Sequence, residues 1–170
     1  MGQSLSVGTT PLVAANILPQ AIREFRCRQP DLRIRLFDAN LNTILKRVEA
    51  GKLDIGLDIF KSVPGILRTS FFWLTLAVIR PDEGAAPRPA STAWSALNGQ
   101  KLISLSSSYP RQQLIDEHLA RNGVRWQRGT VATYLDTQIA LVEAHEGVAI
   151  IPSFGLPVCG DGKVVISQLI

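Results

Sequence analysis

The chain is predicted to be an α/β protein of two lobes, on three observations. Apolar patterning runs strand, helix, strand, helix, strand over about the first sixty of 170 residues, and such alternation argues a parallel sheet with helices on its faces. A second series of strands and helices follows from Trp94 onward. Each series also opens with an apolar run that ends in hydroxyl residues, then a proline, then a helical pattern: Leu5-Ser6-Val7-Gly8-Thr9-Thr10-Pro11, and Lys101-Leu102-Ile103-Ser104-Leu105-Ser106-Ser107-Ser108-Tyr109-Pro110. A helix N-terminus leaves backbone N–H groups without intrahelical partners and carries partial positive charge, so a carboxylate or phosphate is stabilised there. Two such termini from two halves of one chain suggest a ligand held between lobes.

Within the first lobe, Thr10 is expected to cap a helix with Pro11 at its first position, where a missing N–H costs nothing. Leu18, Ile22 and Phe25 form one stripe. Pro19 either kinks this helix or ends a short turn near Ile17 and begins another, and Pro30 closes it. Leu32 to Phe37 alternates as a strand. Asn40 or Asn42 then starts a helix with Leu41, Leu45 and Val48 inward and Gly51 at its end, followed by a strand from Leu53 to Ile59. Residues 66 to 79 are apolar for too long to be one typical strand and read as two, with a break near Phe72 and the chain crossing between lobes.

Pro81 to Thr92 holds three of the ten prolines and reads as a surface loop. The second lobe then offers a helical turn at Trp94 to Leu97, a turn at Asn98-Gly99 and a strand from Lys101 to Leu105. A helix from Arg111 to Asn122, with Leu114, Ile115, His118 and Leu119 near one face, ends at Gly123. Arg125 to Val131 is a strand, and Tyr134 to His145 a helix with Leu135, Ile139 and Val142 inward. Gly147 stops that helix, Val148 to Ile151 is a buried strand, and Lys163 to Leu169 is one more.

The composition, 46% hydrophobic and 19% charged, is that of a globular domain. No run reaches the roughly 18 apolar residues of a membrane span, and the first residues lack the basic start and apolar centre of a signal peptide, so the expected location is cytoplasmic and no membrane contact is expected. Cys27 and Cys159 have no ligand or disulfide spacing, so both read as ordinary thiols and no metal site is expected. Arg23, Arg26, Arg28, Arg33 and Arg35 fall within thirteen residues. They alternate with apolar positions and read as solvated faces rather than a nucleic-acid patch, since no nucleic-acid-binding motif accompanies them.

The ordered segments Leu5 to Thr10, Ile17-Leu18-Pro19 through Phe25 to Ile34, Ala50-Gly51-Lys52-Leu53-Asp54-Ile55-Gly56-Leu57, and Leu141 to Pro152 resemble the effector-binding domain of LysR-type transcriptional regulators. The resemblance implies two Rossmann-like lobes of the periplasmic-binding-protein type joined by crossing strands, with an effector cleft between them. Residues 1–72 would form the first lobe and 73–160 the second, with 161–170 a strand returning toward the first. It also implies an antiparallel homodimer or higher homo-oligomer, in which the helix around Ala21 to Arg28 packs near Leu114 to Arg121 of the partner. DNA contact would come only through a winged helix-turn-helix lying upstream of Met1, so the chain is expected to be an excised sensor domain or a truncated product. The family's further strand and final helix would follow Ile170; the apolar surface they cover is expected to be hidden by a partner chain or by segment exchange.

If a small organic anion binds, Thr9 and Thr10 from one lobe and Ser106 and Ser107 from the other are the expected donors, with Thr133 a third group. Each can equally be a plain helix cap. Asp58, at the end of a strand, lies where open α/β sheets bind ligands and can select an amine or hydroxyl, or be a solvated carboxylate. Phe154 is an apolar pocket wall or loop packing. No enzyme is expected. No nucleophile elbow surrounds any serine, Asp116 and His118 diverge on one helix, and His118 and His145 read as lone helix residues. Neither dinucleotide nor nucleoside-triphosphate cradle occurs, so no cofactor is expected. The function predicted is that of a ligand-sensing domain of a bacterial transcriptional regulator; the alternative is a free solute-binding protein feeding a transporter.

Overall fold

A computed structural model describes residues 4–71, 73–84 and 87–170, and backbone contacts group the chain into two units, Met1–Phe71 and Phe72–Ile170. In the first unit, β1 (Ser4–Thr9) is flanked by β2 (Arg33–Asp38) and β3 (Ile55–Leu57), all parallel, as the alternation requires. Between them run α1 (Pro11–Asn16), α2 (Leu18–Arg28) and α3 (Leu41–Glu49). Pro19 resolves into the two-helix form: α1 stops at Asn16, and Pro19 sits in the first turn of α2, where its missing N–H breaks no bond.

The stripe on α2 is only partly inward. Leu18 is buried, whereas Phe25 is exposed, as are all five clustered arginines. On α3 the side chain of Asn40 accepts from Thr43 N at 3.0 Å, a true cap. Leu41 and Ile44 form its buried face and Leu45 and Val48 only half-bury, so the inward row is shifted by one position from the expected one. Ile44 packs close over β1. A Cβ at Gly8 would lie 2.5 Å from Leu53 Cδ1 and 3.1 Å from Ile44 Cγ2.

Residues 58–75 contain no strand among the described ones, so the first of the two strands expected in 66–79 does not form; the expected break, Phe72, lies outside the described residues. Strand backbone needs a ladder partner, and here Ile66 N instead closes a turn onto Val63 O through Pro64-Gly65. Gly65 at φ 81° supplies the left-handed residue of that turn. Leu67, Phe71 and Trp73 are exposed.

The second unit is a six-stranded mixed sheet, ordered β5-β9-β4-β8-β6-β7. Its strands are β4 (Leu76–Pro81), β5 (Ser91–Thr92), β6 (Lys101–Leu105), β7 (Gln127–Ala132), β8 (Val148–Pro152) and β9 (Val164–Leu169), with α4 (Pro110–Arg121) and α5 (Leu135–Glu143). β8 is buried throughout, between antiparallel β4 and parallel β6, as its unbroken apolar run predicts. The core gathers Val78, Leu97, Leu102, Leu119 and Ile150.

Residues 164–169 lie inside the second sheet, where β9 finds backbone partners on both sides: β4, with Ile79 opposite Ile166, and β5. Two expectations are corrected here. Leu114 is exposed, and the inward face of α4 is Arg111, Gln112, Ile115 and Leu119, with His118 stacked on Trp94 at 5.0 Å. His145 lies beyond α5, in the turn after it, at φ 61°.

Candidate functional site

In the first unit, β1 and β3 are adjacent and parallel with Thr9 opposite Leu57, so residues 10 and 58 leave the sheet side by side at its carboxyl edge, the edge where open α/β sheets bind ligands. At the other end, Asp54 Oδ2 accepts from Ser6 N at 2.7 Å and Ser6 Oγ at 2.5 Å, and Asp54 N donates to Ser6 O. These Ser6 hydrogen bonds hold the Asp54 carboxyl below its ordinary range and fix the register of the two strands. Thr9 is fully buried, and its hydroxyl donates to Leu57 O at 2.6 Å, tying β1 to β3. Thr10 Oγ1 donates to Asp58 Oδ2 at 2.5 Å, while Asp58 Oδ1 accepts from Ile59 N at 2.7 Å. Thr10 and Asp58 are therefore brought together.

In the second unit the serine run forms a turn ahead of α4. Tyr109 N donates to Ser106 O, and the Ser106 and Ser108 hydroxyls pair at 2.9 Å. Ser107 is exposed, and its carbonyl accepts from Gln113 Nε2 at 2.9 Å. One residue into α4, Arg111 is 4% exposed, and its guanidinium carbon lies 5.9 Å from the centre of the half-buried Phe154 ring. Gln112 accepts from Leu105 N and donates to Asp116 Oδ1, and so pins the end of β6 to α4. Gln138, on α5, donates to Ile103 O at 2.6 Å. Thr133 is exposed just after β7.

The capping alternative fails at all three hydroxyl positions. Thr10 occupies the N-cap of α1 with its side chain turned to Asp58, and the N-caps of α4 and α5 are Tyr109 and Tyr134, without side-chain capping bonds. Sequence reading missed Arg111, which it treated only as the start of a helix. Its burial follows from the packing of α4, whose inward face it shares with Gln112, Ile115 and Leu119, and no periodicity signals it. A cavity in the second unit, bordered by Ser104, Gln112, Trp126 and Gln138, contains none of the seven expected site residues. Among the described residues no group of three or more His, Cys, Asp or Glu is placed to hold a metal ion, and no helix is long and apolar enough to cross a membrane.

The profile described as LysR substrate binding domain matches residues 2–169. YfeR of Shigella flexneri, an uncharacterized HTH-type transcriptional regulator, is 28% identical over 179 residues, covering 99% of this chain and 56% of that protein. The transcriptional activator protein LysR of Escherichia coli K12 is 27% identical over 165 residues, covering 95% and 52%. The chain spans about half the length of the curated relatives it matches. Among solved structures, the effector binding domain of QuiR in complex with shikimate superposes with a TM-score of 0.87 at 16% identity, covering 100% of this chain and 82% of that one. The CcmR regulatory domain of Synechocystis PCC6803 in complex with 2-PG gives 0.80 at 15% identity, covering 98% and 81%. At such identities the likeness establishes the fold, an α/β architecture like that of periplasmic binding proteins. The family match extends over almost the whole chain, which therefore belongs to the LysR substrate-binding domain family, the effector-binding part of LysR-type transcriptional regulators.

Proposed function

We propose that this chain senses a small organic anion, a carboxylate in particular, and that binding alters the arrangement of subunits in a cytoplasmic parent regulator that contacts DNA through a segment other than residues 1–170. The observation that carries the anion is the start of α4. Three serines there bond to one another, to the Tyr109 N–H and to the Gln113 side chain, cap no helix, and are followed within α4 by the buried cation Arg111. Ser106 and Ser107 supply hydroxyl donors, Arg111 supplies charge, Thr133 adds a further hydroxyl and Phe154 an apolar wall. Within the first unit, Thr10 and Asp58 at the carboxyl edge of the sheet are the proposed ligand contacts, while Thr9 keeps that strand edge in place. A ligand shifts such a domain only through its differential affinity for two arrangements. The curated relatives are named as regulators, which favours this reading over a free solute-binding protein.

A thermal-shift screen of small carboxylates on the parent chain and on Ser106→Ala/Ser107→Ala tests it. A carboxylate that stabilises the parent is expected to bind about tenfold more weakly to the variant, the scale of losing hydrogen bonds to a charged group. Equal shifts in both proteins would sink the proposed donors.

A further inference from the structure

We propose that Asp58, steadied by Thr10, reads a hydrogen-bond donor on the effector, so that the molecule sensed is a hydroxylated or aminated carboxylate rather than a simple anion. This rests on the reading above that Thr10 and Asp58 belong to the effector site, and it reverses the role the sequence suggests for Thr10. A threonine hydroxyl has one proton and two acceptor lone pairs. In this protein the proton goes to Asp58 Oδ2 at 2.5 Å, so Thr10 offers an incoming group only acceptor positions. Both Asp58 oxygens also act as acceptors, the second toward Ile59 N, and each keeps a further lone pair.

The adjoining backbone does not reverse that polarity. Pro11 has no N–H, and α1 is six residues long, too short to build a substantial dipole at its start. The half-buried strand-end pair is thus an acceptor-rich point at the sheet's carboxyl edge. A carboxylate there would meet a carboxylate, whereas a hydroxyl or ammonium group would find two oxygens already oriented by Thr10 and Ile59.

The test is a calorimetric or thermal-shift comparison of matched probes: malate and aspartate against succinate, lactate and alanine against propionate, 3-hydroxybenzoate against benzoate. The parent chain is expected to bind at least one donor-bearing member about tenfold more tightly than its unsubstituted partner, and Asp58→Asn is expected to erase that preference. Should Asp58→Asn melt early without ligand, Thr10→Val, which keeps the carboxylate but removes the bond that orients it, is the second variant and is expected to weaken the preference severalfold; an unchanged preference overturns the inference. Binding of the unsubstituted acids as tightly as the substituted ones, unchanged in Asp58→Asn, overturns this inference and leaves the anion-sensing reading intact. Failure of every probe to bind overturns the anion-sensing reading itself.

Discussion

The two strand-hydroxyl-proline-helix junctions start from nearly the same sequence pattern and end as chemical opposites. In the first unit the following helix has six residues, and the hydroxyl of Thr10 is drawn to Asp58. In the second it has twelve, the serines bond to one another and to backbone, and a buried arginine follows the proline. The neighbouring strands account for the difference. β1 lies beside β3, whose next residue is an aspartate; β6 lies between β8 and β7, parallel to both, which are followed by Ser153 and Thr133. On the reading proposed above, a hydroxyl cluster before a helix becomes an anion site or an acceptor site according to what leaves the adjacent parallel strand at the same edge.

The units also differ in how much their interiors can yield, and two glycine substitutions put numbers on that. Gly147 has φ 150°, and a Cβ there would meet Lys101 O, a backbone atom, at 2.5 Å. Backbone of β6, held between β8 and β7, cannot readily move aside, so Gly147→Ala is expected to cost about 3 kcal/mol or more. At Gly8 the obstruction is the far end of the Leu53 side chain together with Ile44, and Gly8→Ala is expected to cost about 1–2 kcal/mol. Urea unfolding of both variants measures the pair. A Gly8→Ala cost equal to or above that of Gly147→Ala would show the first unit to be the more rigid.

Strand-helix alternation, the Asn40 cap, the turn at Asn98-Gly99 and the buried β8 run were legible because each is specified by residues close in sequence. What escaped was decided by distant partners. Nothing local in Ile66 to Phe71 reveals that no strand lies alongside it, and the alternation of β9 does not say which sheet it joins. The site divided along the same line. That the hydroxyls and Asp58 lie at strand ends was readable, but the direction of their hydrogen bonds was not, because the Thr10 to Asp58 bond spans 48 residues and the burial of Arg111 depends on how α4 packs.

Acid should separate the units less sharply. The Asp54 carboxyl is lowered by its two bonds from Ser6, and that of Glu143 by the Gly160 N–H at 2.9 Å, with Lys163 adding to it. A carboxyl with a folded pKa below its unfolded value contributes stability that is fully present above the unfolded value, near pH 4 to 4.5 for Asp and Glu. That stability is lost as pH falls through the folded value. Both units are therefore expected to weaken below about pH 4, with Asp54→Asn flattening the acid dependence of the first and Glu143→Gln that of the second. Circular dichroism follows both units, while Trp73, Trp94 and Trp126 report only the second. If Asp54→Asn altered the acid transition seen by tryptophan fluorescence and not that seen by dichroism, the assignment of the two carboxyls to separate units would be wrong.

The smallest expected difference is in thiol chemistry, with one cysteine in each unit. Cys27 is exposed on α2. Cys159 is half-buried, and burial first, then the nearby charge of Glu143, pushes its thiol up to about 11. Because the thiolate is the reactive form, a thiol with that value is only about 0.1% ionised at pH 8. A disulfide reagent is thus expected to give two phases, a fast one abolished by Cys27→Ser and a slow one abolished by Cys159→Ser. Glu143→Gln removes the repelling charge but not the burial, so it is expected to speed the slow phase by severalfold at most. A slow phase that became as fast as the Cys27 phase in Glu143→Gln would mean that charge, not packing, protects Cys159. The clasp from Glu143 to Gly160 and Lys163, rather than the second sheet's density, would then be what distinguishes the two units at this position.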